Sequence, residues 1–214
     1  MSPKALKRRL SNTQDLVDHK LIDQSDFERV QQTEREFAIG VSDHLSQTMI
    51  NNPQSLALRN QYIPQDAELH ITADELADPI GDKAHEPAKG IVHRYPDRVL
   101  LKIANACAVY CRYCFRREMI GPNSDVLSKE ERKAALNYIA NTPEIWEVIL
   151  TGGDPLILSP RQLKDTFEAL NSIPHVRAVR IHTRVPIADP KRMSADLLES
   201  LETLQDKALN IVLH

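Results

Sequence analysis

Beyond Gly90 the chain switches between two hydrophobic rhythms. Short apolar runs rich in Val, Ile and Leu occupy Arg98 to Ala104, Trp146 to Thr151, Ala178 to Thr183 and Ala208 to Leu213, and they predict four strands. Between them, Lys129 to Asn141, Pro160 to Ser172 and Ala195 to Leu204 carry apolar residues at helical intervals. Each of these segments is preceded by a serine, Ser128, Ser159 or Ser194, whose hydroxyl can accept from the N–H groups that a first helical turn leaves unpaired. Strands alternating with helices of this length predict βαβ units and a parallel sheet, hence an α/β fold. In such sheets binding and catalytic groups gather beyond the carboxyl ends of the strands. Three polar words fall there: a cysteine-rich loop after the first strand, Gly152-Gly153-Asp154 after the second and His182-Thr183-Arg184 after the third.

The first ninety residues read differently. Asp15 to His19 and Ser25 to Ile39 predict polar helices, the second opened by a capping box of Ser25 and Glu28. From Asn52 to Gly90 the residues Pro53, Pro64, Pro79 and Pro87 mark an irregular connector, with a short helix expected near Ala73 to Ala77. The expected division is therefore 1–90 as a helical arm and connector, and 91–214 as the core domain. The fourth predicted strand ends at Leu213 with no helix after it, which leaves an open edge and an uncovered face. The expectation is a barrel wall cut after its fourth strand, with further β-α units belonging to it.

Composition narrows the choice of partners. With 214 residues, 42% of them hydrophobic, the chain can bury a substantial core, and a net charge of −3 gives no electrostatic case for nucleic acid or an anionic membrane. Met1 to Leu10 is basic and lacks an apolar signal core, and no run reaches the roughly 18 apolar residues of a membrane span. A reducing cytoplasm is the expected compartment.

The three cysteines, Cys107, Cys111 and Cys114, form a C-x3-C-x2-C word. They cannot all pair in disulfides with one another. Three thiolates can hold three corners of a 4Fe-4S cubane and leave the fourth iron open for a ligand. A zinc site completed by His93, and three buried small hydrophobes, are the competing readings. Zinc ribbons usually need a second C-x2-C pair, and the chain has none.

Taken with its neighbours, the cysteine word resembles the signature of the radical S-adenosylmethionine superfamily. Three words, His93-Arg94-Tyr95-Pro96-Asp97-Arg98, Cys111-Arg112-Tyr113-Cys114-Phe115-Arg116-Arg117 and Thr151-Gly152-Gly153-Asp154-Pro155-Leu156, are together similar to the lysine 2,3-aminomutase family. The resemblance implies a partial (β/α) barrel with an N-terminal helical arm, and an isomerase that moves an amino group between C2 and C3 of an amino acid, L-lysine to β-lysine first. Glutamate and a translation-factor lysine are the alternative substrates, and a non-catalytic zinc or interaction module is the alternative of another class. It implies a 4Fe-4S cluster on Cys107, Cys111 and Cys114. S-adenosylmethionine would be held by Gly152, Gly153 and Asp154, the Asp154 carboxylate accepting from its ammonium group, with His214 near its ribose. The phosphate of pyridoxal 5′-phosphate would lie on Arg94, Tyr95 and Arg98, and the substrate carboxylate on Arg116. Arg112 and Arg117 would be surface or cluster-edge charges, while His182 and Arg184 would contact S-adenosylmethionine or substrate. A flavodoxin or ferredoxin would supply the electron, and a homo-oligomer is a further expectation. Tyr113 stands where some lysine enzymes have histidine, and the family's pyridoxal lysine has no counterpart within the 214 residues.

Overall fold

A computed structural model describes residues 9–117, 119–120 and 126–214. Residues 1–8, most of the basic start, lie outside it. The described residues form two compact units, one from residues 9–79, 108–117 and 119–120, the other from residues 80–107 and 126–214. This differs from a division at residue 90, because 80–90 joins the sheet and the second half of the cysteine loop joins the arm.

In the first unit, β1 (Arg9–Leu10) pairs antiparallel with β2 (Val41–Ser42), bracketing α1 (Thr13–Asp18) and α2 (Phe27–Glu36). Then follow α3 (Asp43–Asn51) and α4 (Leu56–Tyr62). Asn12 caps α1 by accepting from Asp15 N–H at 2.8 Å, and Ser42 caps α3 by accepting from Leu45 N–H at 3.2 Å. Leu16, Val30, Met49 and Tyr62 are fully buried and make its core. Two expectations fail here. The capping box at Ser25 does not form; Gln24–Asp26 is a 3-10 turn, and α2 begins at Phe27 without a side-chain cap. It also ends at Glu36, because Phe37 turns extended to bury its ring. No helix forms near Ala73 to Ala77. A single turn closes instead, Glu75 N–H to the Thr72 carbonyl, since so short a segment cannot repay helix nucleation.

The second unit is a five-stranded sheet. Strand β3 (Ile91–Tyr95) turns through Pro96-Asp97 into β4 (Arg98–Ala104), and α5 (Lys129–Ala140), β5 (Glu147–Gly152), α6 (Pro160–Asn171) and β6 (Ala178–Thr183) follow. Next come α7 (Val185–Ala188), α8 (Ala195–Glu202) and β7 (Ala208–Leu213). The spatial order is β3-β4-β5-β6-β7, with β3 antiparallel to β4 and the other four parallel. Ser128, Ser159 and Ser194 cap α5, α6 and α8 as their positions predict. The hairpin strand β3 was hidden because His93-Arg94-Tyr95 reads as a polar turn.

The pleat sorts the sheet's residues. Val99, Leu101, Val148, Leu150, Val179 and Ile181 are all fully buried, as are Phe167 of α6 and Ile139 of α5. Fully burying one such side chain is worth about 1.5 to 3 kcal/mol. On the alternate positions the sheet carries charge: buried Glu147 of β5 meets Arg98 at 3.4 Å and Arg180 at 2.5 Å. β7 is the outer strand opposite β3, with Ile211 and Leu213 exposed. Among the described residues, no helix is long and apolar enough to cross a membrane.

Candidate functional site: strand-end rim and cysteine loop

Parallel pairing of β4 to β7 sets their carboxyl ends on one rim, and hydrogen bonds tie the words found there to one another. Gly153 N–H donates to the Ala104 carbonyl at 2.5 Å, and Asp154 N–H donates to the Ala106 carbonyl at 2.9 Å. The segment that leads into Cys107 is thereby docked on the Gly-Gly-Asp turn. Both glycines are needed for that approach. Gly152 has φ +106°, and a Cβ there would stand 2.6 Å from the Ala104 carbonyl oxygen; a Cβ on Gly153 would stand 2.1 Å from that of Ala106.

Asp154 joins the rim to the end of β6. Its Oδ1 accepts from Leu156 N–H at 3.0 Å and from the Thr183 hydroxyl at 2.7 Å. Its Oδ2 accepts from Arg184 N–H at 2.7 Å and Val185 N–H at 3.1 Å. A carboxylate offers about four acceptor sites, so these four donors use all of them. Burial pushes the carboxyl up, against the opposing pull of those donors. An ammonium group is thus not needed to explain this residue, whose geometry is that of a brace between two strand ends. Thr183, assigned no part by the sequence, is half of that brace. At the end of β7, His214 N–H donates to the Thr183 carbonyl at 3.2 Å, and its ring nitrogen Nε2 lies 3.2 Å from Nδ1 of His182. Gly152, Gly153, Asp154, His182, Arg184 and His214 therefore share one rim.

The His93 to Arg98 word lies elsewhere. It spans the β3–β4 turn, at the opposite end of β4 from the rim, roughly 20 Å away for a strand of this length. Arg98 grips Asp97 with two bonds of 2.9 and 2.7 Å, and its guanidinium stands 5.8 Å from the centre of the Trp146 ring. Arg98 and Trp146 hold the Asp97 carboxyl well below the usual carboxylate range. Arg94 donates to the Ile80 carbonyl and lies 4.0 Å from buried Asp82, while Tyr95 is exposed. The donors suit a phosphate in kind, but each arginine already faces a carboxylate. His93 is engaged with the Tyr138 hydroxyl at 2.6 Å.

Cys111, Cys114 and Arg116 lie in the first unit, whose arm secures their backbone. Tyr110 N–H donates to the Gly40 carbonyl at 2.8 Å and Arg112 N–H to the Gln61 carbonyl at 2.9 Å. The Cys111–Cys114 turn is closed by Cys114 N–H on the Cys111 carbonyl at 3.1 Å. Arg112, expected at the surface or cluster edge, is buried and paired with Glu68 at 2.5 Å. Its guanidinium lies 4.9 Å from the Tyr110 ring centre, and burial pushes the Tyr110 phenol up to about 12. Arg117 pairs with Glu75 at 2.9 Å and covers the Phe37 ring, and Arg116 covers the Phe115 ring. A pocket of about 450 Å³ lined by Glu75, Leu76, Tyr113, Cys114, Phe115 and Arg117 opens beside the loop. No sequence signal pointed to Glu68 beyond its place three residues after Gln65, whose N–H it also accepts at 2.9 Å.

The donor chemistry fits an iron-sulfur cluster: three thiols within eight residues, each half-buried and none in a disulfide. Among the described residues, no three His, Cys, Asp or Glu side chains already converge as a metal site.

The model of the Radical SAM superfamily matches residues 101–214, more than half of the chain. An L-lysine 2,3-aminomutase of Fusobacterium nucleatum subsp. nucleatum is 33% identical over 205 residues, covering 96% of this chain and 48% of the relative. The L-lysine 2,3-aminomutase of Clostridium subterminale is likewise 33% identical over 205 residues, 96% of this chain and 49% of that protein. That of Escherichia coli (strain K12) is 37% identical over 165 residues, 76% and 47% of the two chains. The chain spans about half the length of these curated relatives.

Proposed function

From the premise that this chain belongs to the radical SAM superfamily, we propose that it serves a 2,3-aminomutase, which moves an amino group between C2 and C3 of an amino acid, L-lysine to β-lysine first. The observation that supports the reading is the docking of Ala104 and Ala106, just ahead of Cys107, on Gly152-Gly153-Asp154. Cys107, Cys111 and Cys114 would hold a 4Fe-4S cluster and S-adenosylmethionine would lie along the rim; Arg94, Tyr95 and Arg98 suit the phosphate of pyridoxal 5′-phosphate in donor chemistry, although they stand at the other end of β4. When bound, the cluster and S-adenosylmethionine would supply a carbon radical, and pyridoxal phosphate would supply stabilisation of a radical while the amino group moves.

The chain's own residues bind and orient. Gly152 and Gly153 keep the cluster stalk against β5, and Asp154 with Thr183 fixes the β5 and β6 ends as one surface. His214 is positioned on that surface through Thr183 and His182, where it suits a ribose hydroxyl. Arg94 and Arg98 would exchange Asp82 and Asp97 for the phosphate. Arg116 would pair with the substrate carboxylate. A small acidic redox protein such as flavodoxin or ferredoxin would supply the electron, in the cytoplasm.

Anaerobic reconstitution tests the cluster. About four irons per chain with a broad absorbance near roughly 400 nm is the expected result, and one zinc with no iron would sink the reading. Cys107→Ala, Cys111→Ala and Cys114→Ala should each prevent assembly; a full cubane in any of them refutes its ligand assignment. Arg94→Ala and Arg98→Ala should each weaken pyridoxal phosphate binding by about 1.5 to 3 kcal/mol with iron content unchanged.

A further inference from the structure

We infer that Arg112 and Glu68 form a latch that fixes the Cys111–Cys114 turn in its metal-binding shape, Arg112 being a positioning residue rather than a ligand. The inference rests on the cluster reading of the cysteines. Arg112 is 7% exposed although it lies in a turn on the surface loop that carries the thiols. Its Nε donates to both Glu68 oxygens at 2.9 and 3.0 Å, Nη2 to Oε2 at 2.5 Å and Nη1 to the Ala38 carbonyl at 2.6 Å. Glu68 is itself fixed, because Oε1 also accepts from Gln65 N–H in the capping box of the Asp66–Leu69 3-10 helix.

Burying such a pair is expensive, and apolar residues of equal volume often stabilise as well or better. A pair kept there is therefore better explained by specificity than by stability. What it specifies is the position of Arg112, the first of the two residues between Cys111 and Cys114. With its main chain bonded to Gln61 and its fork bonded to Glu68 and Ala38, Arg112 cannot rotate without breaking at least five hydrogen bonds. The Cys111–Cys114 turn is thus held by the arm before any metal arrives, and the ordering cost of metal binding falls accordingly.

The latch is tested on the whole chain in chelator by the alkylation rate of each cysteine, mapped by mass spectrometry. Arg112→Lys and Glu68→Gln should each speed alkylation of Cys111 and Cys114 by about tenfold or more, since tenfold corresponds to only about 1.4 kcal/mol of easier opening. Cys107, which lies in the other unit, serves as internal control and should change less than about twofold. Unchanged rates at Cys111 and Cys114 overturn the latch. Should these variants unfold, so that all three thiols react together, the double change Arg112→Met with Glu68→Leu keeps the packing without the charges and decides the matter. Fast Cys111 and Cys114 with a protected Cys107 sustain the latch, and three protected thiols overturn it. In reconstituted holoenzyme the same variants should surrender iron to a chelator about tenfold faster. Wild-type chain that takes up no iron would refute the cluster reading alone, because the alkylation rates still judge the latch.

Discussion

The cysteine loop and the Gly-Gly-Asp turn are both pinned by main-chain bonds and differ in the side chains added to them. The turn is fastened by main-chain bonds to Ala104 and Ala106, by two missing Cβ atoms and by one short side chain reaching Thr183 and its neighbours. The loop adds to its main-chain bonds with Gly40 and Gln61 long, charged side chains that cross large distances in sequence, Arg112 to Glu68 and Ala38, Arg117 to Glu75. The lesson is that a turn inside a parallel sheet inherits its geometry from the strands, whereas a loop beyond them must borrow rigidity from another part of the chain.

That contrast can be broken first at the glycines. Gly153→Ala forces a Cβ against the main-chain oxygen of Ala106, which cannot step aside, and should cost at least about 3 kcal/mol, read as a loss of denaturant midpoint. Its counterpart in the arm, Gly40→Ala, meets the far end of the Arg9 side chain and, at 2.9 Å, Tyr110 N; its cost should be nearer about 1 kcal/mol. Equal costs would remove the distinction between a strand-borne turn and a borrowed one.

A second measurement sharpens the role of Asp154. Asp154→Asn puts an amide N–H₂ where Arg184 or Leu156 N–H points, so at least one buried donor loses its acceptor, at about 1 to 3 kcal/mol. Hydrogen exchange should show the loss at the Arg184 and Val185 amides. If exchange there is unchanged, the carboxylate is not the brace.

The smallest effect concerns Asp97 at the far end of β4. Its pKa is lowered by Arg98 and Trp146, so its contribution is fully present above the ordinary value near 3.9 and is lost only as pH falls through the lowered one. The group is exposed and the difference between wild type and Asp97→Asn should be slight, but it should persist at about pH 3, where an ordinary aspartate is largely protonated. A carboxyl resonance that titrates near 4 would contradict the lowered value.

How far the fold could be read follows from the same contrast. All four parallel strands and all three serine caps of the second unit were legible because short apolar runs and N-cap hydroxyls are local signals; only Glu147–Gly152 moved, by one residue. β3 was not, since its polar residues sit at a hairpin tip where no burial pattern marks them. In the arm, Ser25 with Glu28 matched a capping box in letters but not in structure, because the chain entered α2 through a 3-10 turn. The rim was legible as a set of words on one edge, while the partner of each side chain was not: Thr183 is 29 residues from Asp154, and Glu68 is 44 from Arg112. Such pairs depend on tertiary placement, which local pattern does not encode.

The anchorage of the cysteine loop has a consequence for anyone wishing to transplant it. An eight-residue peptide from Cys107 to Cys114 grafted onto a foreign barrel would carry every thiol but none of the carbonyls of Ala38, Gly40 and Gln61 or the carboxylate of Glu68 that shape it. The smallest portable version therefore includes a stretch from about residue 38 to 68 as well, so on the proposed cluster reading the arm travels with the thiols it shapes.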